Sequence, residues 1–413
     1  MRGMSHPSTT RPDSRPDSRP DSRPDSLPAT PGEVFALIRS GAAVTRSDVG
    51  RVTGLSRTAV AARLTALLDS GLVVEGVEGP SSGGRPPVHL QFNRNAGVVL
   101  AGAIGRTRTQ LAVCDLDGEV LQATDLEQEV GIGPAELMPR VAGVLRDLLH
   151  AAGVTPSVVR AVGLSIPGTV DFARGASLDS PIMHGWDEVE LAPYLRGLTA
   201  APVFVDNDAN VMALSERRGH LERYQDLVLL KASTGIGVGI VSKGEVLRGA
   251  LGAAGEIGHT KSPAAAGVTC RCGDTGCVEA VAGGWALVQA LNQHGRRVDH
   301  VRGLVRLAVD GDPEARHLVR ESGRRIGEVL GAAVNLLNPQ AVVVGGDMAG
   351  AYDTFVAGLR ETVYGGATAL ASRELAVLPT THGDRSGVVG CAALALGQVL
   401  NPNAVDRALA RLS

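Results

Sequence analysis

The sequence predicts an α/β body in two lobes, carried behind a small winged helix-turn-helix. From Gly97 onward, apolar strand-like runs alternate with Ala- and Leu-rich helical stretches, the pattern of mixed or parallel sheets covered by helices. That segment holds roughly 315 residues, large for a single sheet, so two lobes around a cleft are expected. Between Pro31 and Asn95, three short helical patterns precede two strand patterns set around a Gly/Ser/Pro-rich turn. The 413 residues are 44% hydrophobic and 20% charged, which excludes disorder throughout. Aromatic residues are only 3% and Gly reaches 53, so the cores are built from small aliphatic side chains and tight turns.

Residues 1–30 contain four tandem copies of Arg-Pro-Asp-Ser, from Arg11 to Ser26. Each copy is charge-neutral, offers no apolar residue to bury and places a Pro every fourth position. A disordered tail follows, with partner docking or processing as its alternative role. Order begins near Pro31, where Val34, Phe35, Leu37 and Ile38 form one helical face ending at Ser40-Gly41. Thr45 opens a second helix from Arg46, and Gly54 stops it. Ser56 caps a third, with Val60, Leu64, Leu67 and Leu68 on one side and Gly71 as its stop. Leu72 to Val74 and Val88 to Phe92 are the hairpin of the wing. Strands are then expected at Val98 to Ala103, Gln110 to Val113, Val159 to Leu164, Val203 to Val205, Leu227 to Leu230 and Ala341 to Val344. The organisation is thus a tail at 1–30, a winged helix at 31–95 and a two-lobed body at 96–413.

Lys+Arg 40 against Asp+Glu 43 gives a net charge of −3, so no global charge announces a nucleic-acid partner. Residues 31–95 alone hold 7 basic and 5 acidic residues, a mild excess of +2. In a helix-turn-helix the early residues of the second helix face base edges, here Ser56, Arg57 and Thr58, with Ala61 and Ala62 on the same side. Arg57 suits a guanine edge. Gly83-Gly84-Arg85-Pro86-Pro87 puts Arg85 on a stiff, narrow tip suited to a minor groove. A helical domain used for protein contacts is the alternative.

Three of the five cysteines fall within eight residues. His259, Cys270, Cys272 and Cys277 form His-x10-Cys-x-Cys-x4-Cys, a Cys3His set that closes a zinc tetrahedron with no open position. Such a site is structural, spanning 259–277; three reduced thiols beside an unrelated histidine are the alternative. Cys114 and Cys391 sit in apolar runs and are expected in the core. Val205-Asp206-Asn207-Asp208-Ala209-Asn210 follows a strand and opens a helix, where ligands of α/β folds gather. Asp208 beside Asn207 can engage a sugar hydroxyl, or the motif can simply cap the helix. Glu256 and His259 run straight into the cysteine loop, which closes with Glu279, so these three are expected close together.

These motifs resemble the ROK family, which joins sugar-responsive repressors and bacterial sugar kinases. The resemblance is carried by the Gly-rich segment Ser233 to Gly239, by Ala254-Gly255-Glu256-Ile257-Gly258-His259 and by the Cys-x-Cys-Gly-x2-Gly-Cys loop, and covers about Gly97 to Leu400. The winged helix in front matches the repressor branch. The resemblance implies an actin-like two-lobed fold, with sugar bound by Asn207, Asp208, Glu256, His259 and Glu279. In the kinases the aspartate at the position of Asp208 is the catalytic base. His259 would serve the zinc through one nitrogen and face the sugar through the other.

The departures separate the two branches. The kinases carry Asp-x-Gly-Gly-Thr early in the first lobe, where this chain has Ala103-Ile104-Gly105-Arg106-Thr107. The magnesium-holding carboxylate is replaced by Ala103, and Arg106 stands where backbone must approach phosphate; loss of that carboxylate costs orders of magnitude in phosphoryl transfer. Ser233-Thr234-Gly235 replaces Gly-Thr-Gly, and Asp347 interrupts the Gly345-Gly346 turn of the adenosine side. On the sugar side Ile182 stands where kinases commonly have Asn, and His184 is the residue that can compensate. The resemblance therefore implies a sugar-responsive transcriptional regulator of carbohydrate-metabolism genes, a repressor with no catalytic residue. Its expected partners are operator DNA, a sugar or sugar-phosphate effector and its own copies in a homodimer or homotetramer. Sugar would shift the lobes to a closed form that respaces the winged helices. An ATP-dependent, glucokinase-like sugar kinase with an added DNA-binding domain is the alternative, and a protein-interaction module a third. No apolar run approaches the ~20 residues of a membrane span and the N-terminal stretch lacks a secretory apolar core, so a cytoplasmic location without membrane partners is expected.

Overall fold

Thr30, Thr45 and Ser56 each accept a backbone N–H with the side-chain oxygen, and these caps start the first three helices. They are α1 (Pro31–Arg39), α2 (Arg46–Thr53) and α3 (Arg57–Asp69), with Gly54 closing α2 at φ 72°. β1 (Val73–Glu78) and β2 (Val88–Phe92) pair antiparallel, Val73 opposite Phe92. Val34, Phe35, Val49, Leu64, Leu67 and Leu90 are buried together, and Phe35 meets Phe92 edge-on at 5.6 Å. Three helices and a hairpin around one core are compatible with a winged helix-turn-helix. The computed structural model describes residues 29–78, 88–179 and 185–411. The Arg-Pro-Asp-Ser copies, the wing tip with Arg85, and Ile182 and His184 lie outside the described residues.

The first lobe contains β3 (Val98–Ile104), β4 (Arg108–Asp115), β5 (Val120–Glu127), α4 (Pro134–Ala151), β6 (Val159–Ile166), the small hairpin β7 (Thr169–Asp171) and β8 (Ala176–Asp179), α5 (Ala192–Leu195) and β9 (Val203–Asn207). Its sheet has the order β5-β4-β3-β6-β9, antiparallel for the first three strands and parallel for the rest. α6 (Asp208–Ser215) leads to the second lobe, where β10 (Leu227–Ala232), β11 (Ile236–Ser242) and β12 (Glu245–Val246) precede α7 (Glu279–Ala282), α8 (Gly284–Gln293), α9 (Val301–Val309) and α10 (Pro313–Leu337). β13 (Ala341–Gly345), α11 (Tyr352–Gly366), α12 (Ala369–Ser372) and β14 (Ala376–Pro379) follow, before α13 (Ser386–Val399) and α14 (Pro402–Ala410) return to the first lobe. The second sheet, β12-β11-β10-β13-β14, repeats the same sequence of antiparallel and parallel pairings. Two such sheets make the actin-like, two-lobed fold.

The six expected strands are all present, extended by one to four residues each. β5 was not expected because most of its residues are exposed on an edge strand, which leaves no apolar signal. β11 overlaps the Gly-rich segment Ser233 to Gly239. Ile236, Val238 and Val241 are its buried apolar side chains.

Glycines let the two central helices and the two sheets approach backbone to backbone. A Cβ on Gly163 of β6 would lie 2.0 Å from the Cys391 carbonyl of α13, and one on Gly390 of α13 would lie 1.8 Å from the Val211 carbonyl of α6. On the far side, a Cβ on Gly239 of β11 would lie 2.4 Å from the Ala209 carbonyl of α6. The stack sheet–α13–α6–sheet is therefore closed at the spacing of backbones, with no side chain between them at these points.

The N-terminal helices are docked on this body. The Gly32 N–H donates to Asp406 Oδ1 on α14 at 2.7 Å, and one buried cluster runs from Val34 and Phe35 through Val405 and Leu409 to Val99 and Ala101. Among the described residues no single helix is long and apolar enough to cross a membrane.

Candidate functional site

A cleft of about 780 Å³ opens between the lobes at the carboxyl ends of β3, β6, β9, β10 and β13. Parallel strands point their unpaired ends there, and the loops that follow supply the side chains. Asp208, Glu256, His259 and Glu279 all line it, with Asn207 beside them.

At the end of β9 the Asp206-Asn207-Asp208 triplet is divided in labour. Asp206 is buried; its Oδ1 accepts from the Asn207 N–H (2.8 Å) and Asn210 Nδ2 (3.0 Å), and Oδ2 from Arg248 Nε (2.8 Å). Asn207 caps α6, its Oδ1 accepting from the Ala209 and Asn210 N–H groups at 2.8 and 3.3 Å while Nδ2 donates to the Gly168 carbonyl. The capping role left open by the sequence is thus present. Asp208 faces the cleft and is ion-paired with Lys231 of β10. Lys231 was missed by the sequence reading. The signal was available: the chain has three lysines, and this one interrupts an otherwise apolar strand.

Glu279 starts α7 and is buried, with Oε2 accepting from the Ile236 N–H at 2.8 Å and Oε1 from Trp285 Nε1 at 3.2 Å. His259 Nε2 lies 3.8 Å from Glu256 Oε2, while its Nδ1 faces Cys270 Sγ at 3.9 Å. The histidine therefore turns one nitrogen to the cleft and the other to the cysteines.

His259, Cys270, Cys272 and Cys277 bring one ligand atom each within 4.8 Å of one another. Zinc–sulfur bonds of about 2.3 Å in a tetrahedron put sulfurs about 3.8 Å apart. Cys272 and Cys277 Sγ are 3.8 Å apart, so this donor set fits a closed tetrahedral metal. Burial and the neighbouring Cys272 raise the Cys277 thiol, against Lys261 Nζ at 3.5 Å from its Sγ, and burial pushes the Cys270 thiol up to about 12. Cys114 and Cys391 are buried, both pushed up to about 12 by desolvation, and are inert core thiols.

Basic side chains also line the cleft, among them Arg106, Arg108, Lys231 and Arg302. Arg106 sits on the turn between β3 and β4, closed by the Gly105 N–H donating to the Arg108 carbonyl at 2.9 Å. Its Nε is buried without a hydrogen-bond partner among the described residues. Ser233 donates to Asp347, and Thr234 Oγ1 lies 3.5 Å from His300 Nε2. On the N-terminal region, Ser56 is taken up as the cap of α3, accepting from the Ala59 N–H at 3.2 Å, while Arg57, Thr58, Ala61 and Ala62 are exposed along one side.

Comparison with known proteins places these features in a lineage. Residues 99–398 match the ROK family. The chain is 27% identical over 372 residues to the xylose repressor of Caldicellulosiruptor bescii, covering 87% of this chain and 93% of that one. Among solved structures, a ROK family transcriptional regulator described as a homolog of E. coli MLC superposes with a TM-score of 0.77 at 26% identity, covering 92% of this chain and 98% of its own. A ROK family glucokinase from Streptomyces griseus, in complex with glucose and AMPPNP, gives a TM-score of 0.60 at 28% identity and covers 72% of this chain and 99% of its own. With its paired five-stranded sheets, its cysteine loop and a family match across both lobes, this chain belongs to the ROK family.

Proposed function

We propose that the protein is a sugar-responsive, DNA-binding transcriptional regulator, a cytoplasmic repressor of carbohydrate-metabolism genes acting as a homodimer or homotetramer. One observation carries the reading: an exposed α3 face is joined to a cleft lined by Asp208, Glu256 and His259, with Ala103 and Arg106 at the end of β3. Similarity supports it, because the xylose repressor alignment extends beyond the family match while the glucokinase covers a smaller part of the chain.

In this reading residues 31–95 form the winged helix and 96–413 the sensor, with 1–30 as a tail. Arg57 and Thr58, set by the Ser56 cap, meet the operator, and Arg85 of the wing enters the minor groove. Asp208, Glu256 and His259 take sugar hydroxyls, while Asn207 and Glu279 act from the walls they brace. Zinc, held by His259, Cys270, Cys272 and Cys277, is structural; when bound it holds the loop that carries Glu256 and Glu279. A ligand moves the lobes only by binding one arrangement better than another. Asp206 offers a route outward, since Arg248, its partner, also lines a cavity of about 630 Å³ beneath α1.

Enzymatic turnover is not part of this reading. Ala103 offers no carboxylate to magnesium, Arg106 occupies the phosphate approach, and Lys231 already holds the Asp208 carboxylate. The test is selection of bound genomic fragments followed by anisotropy titration with xylose, glucose, mannose and N-acetylglucosamine, each free and as its phosphate. One sugar is expected to weaken binding to the selected operator. A protein that enriches no sequence, or whose operator affinity no sugar changes, overturns the reading.

A further inference from the structure

We infer that the cavity of about 630 Å³ beneath α1 is a second ligand site, which takes a small organic anion whose oxyanion head is received by Arg39 and Arg217 and whose body is apolar. The cavity shares no lining residue with the interlobe cleft. The inference does not rest on the regulator reading, because the ligand is recognised by the protein alone.

The cavity forms where the first helix of the chain lies against the last two. α1 contributes Ala36 and Arg39, α13 contributes Leu394 and Gln398, and Pro402 opens α14 beside them. Leu214, Val246, Leu394 and Leu400 are buried and give it an apolar lining. Its volume falls among those of small-molecule sites, roughly 300–1,000 Å³.

Three guanidinium groups line it, and they differ in what they already hold. Arg248 is committed: its Nε and Nη2 both donate to Asp206 Oδ2, at 2.8 and 2.7 Å, and its guanidinium lies 4.0 Å from the centre of the Phe172 ring. Arg217 is engaged through one nitrogen, Nη2, at 3.1 Å from Glu245 Oε2. That carboxylate is 81% exposed, so water screens the pair. Arg217 Nη1 has no hydrogen-bond partner among the described residues.

Arg39 makes no ion pair among the described residues, and its guanidinium lies 5.6 Å from the centre of the Phe92 ring. Burial against the cavity walls holds it below the usual arginine value; Asp117 opposes this, and the like charge of Arg217 adds to it. Glu245 is the single carboxylate among the lining residues, against three guanidinium groups. Two like charges brought together this way repel, and an anion between them removes the repulsion. The planar fork of arginine matches the two oxygens of a carboxylate or phosphate head. Gln398, whose amide has no side-chain partner among the described residues, offers a further donor. The apolar lining gives nothing to a bare inorganic ion or to a DNA phosphate, and it favours a ligand with an apolar body.

The experiment is calorimetric titration of the full chain with probes that share one body, hexanoate, hexyl phosphate and hexanol, and with the heads alone, acetate and inorganic phosphate. Hexanoate or hexyl phosphate is expected to bind once per chain, at least about tenfold more tightly than hexanol and than its own head group. The tighter of the two identifies the head that the site prefers. Arg39→Gln and Arg217→Gln should each bring that anion to the level of hexanol, and Arg39→Lys should keep part of the preference. Glu245→Gln, which removes the competing carboxylate, should tighten binding, an effect that a merely structural role for these arginines would not give. Hexanol binding as tightly as both anions, a preference surviving both glutamine variants, or heads that bind as well as the whole probes overturns the inference. So does a preference lost in Arg106→Gln, which would put the anion in the interlobe cleft, or competition by a random DNA duplex, which would make Arg39 and Arg217 backbone contacts. All of these outcomes are read without operator or sugar, so they leave the regulator reading to its own test.

Discussion

Ser233 donates a hydrogen bond to the carboxylate of Asp347, 114 residues further along the chain. The register explains the meeting: β10 and β13 run parallel with Lys231 opposite Gly345, so two residues beyond that pair Ser233 comes beside Asp347. The two side chains satisfy each other at the carboxyl end of the second sheet.

The protein is expected to transfer no phosphoryl group from ATP to glucose, xylose, mannose or N-acetylglucosamine at ordinary enzyme rates, roughly 1 per second or more. A coupled assay for ADP release checks this, and turnover at that rate sinks the expectation. Partial activity on combining Ala103→Asp with Arg106→Gly would support the assignment of the obstruction to those positions.

Metal analysis should find about one zinc per chain, four-coordinate. Cys272→Ser, or stripping by a chelator, should remove the sugar response before it weakens operator binding, because the loop carries Glu256 and Glu279 while α3 packs in a different buried cluster from the cysteines. An unchanged sugar response in metal-free protein would contradict it.

Operator titrations with and without sugar should separate the two halves of the chain. Arg57→Ala should cost about 1–3 kcal/mol on the operator and relax its base preference, with Arg85→Ala weakening binding and affecting base choice less. Asp208→Ala should keep operator affinity and lose the sugar's effect on it. If a folded Asp208→Ala protein bound no DNA, or Arg57→Ala bound normally, the division would be wrong.

Gly390→Ala should lower stability by about 1–3 kcal/mol or more, because its Cβ would fall 1.8 Å from the Val211 carbonyl and α6 would have to move from α13. Gly143→Ala, in the middle of α4 with nothing within 4 Å of the new Cβ, should be neutral or stabilising by up to about 1 kcal/mol. Urea unfolding of the two variants makes the comparison, and equal midpoints would refute the close-packed stack.

Local chemistry was legible in the residues. Thr45, Ser56 and Gly54 act as caps because their preferences involve only the adjoining turn. The cysteine loop was equally legible, since three thiols in eight residues need no distant partner to converge, and only His259 had to be recruited across ten residues. Asn207 was ambiguous for a physical reason: the same carboxamide suits a helix cap and a ligand, and only the neighbouring N–H groups decide. Lys231 escaped notice because an isolated charge at the end of a strand does not say which carboxylate it meets.

The sequence by itself determined the element types, the metal-binding spacing and the choice of small residues for the core, all properties of neighbours along the chain. Only the tertiary structure decided that Ser233 meets Asp347, that Lys231 meets Asp208 and that the amide of Gly32 docks on Asp406 of α14. Those pairings depend on strand register and on the glycine-lined stacking of α6 and α13, which are set by burial of the whole core at once. Residues more than twenty positions apart carry no local preference for one another, so their meeting is a consequence of packing.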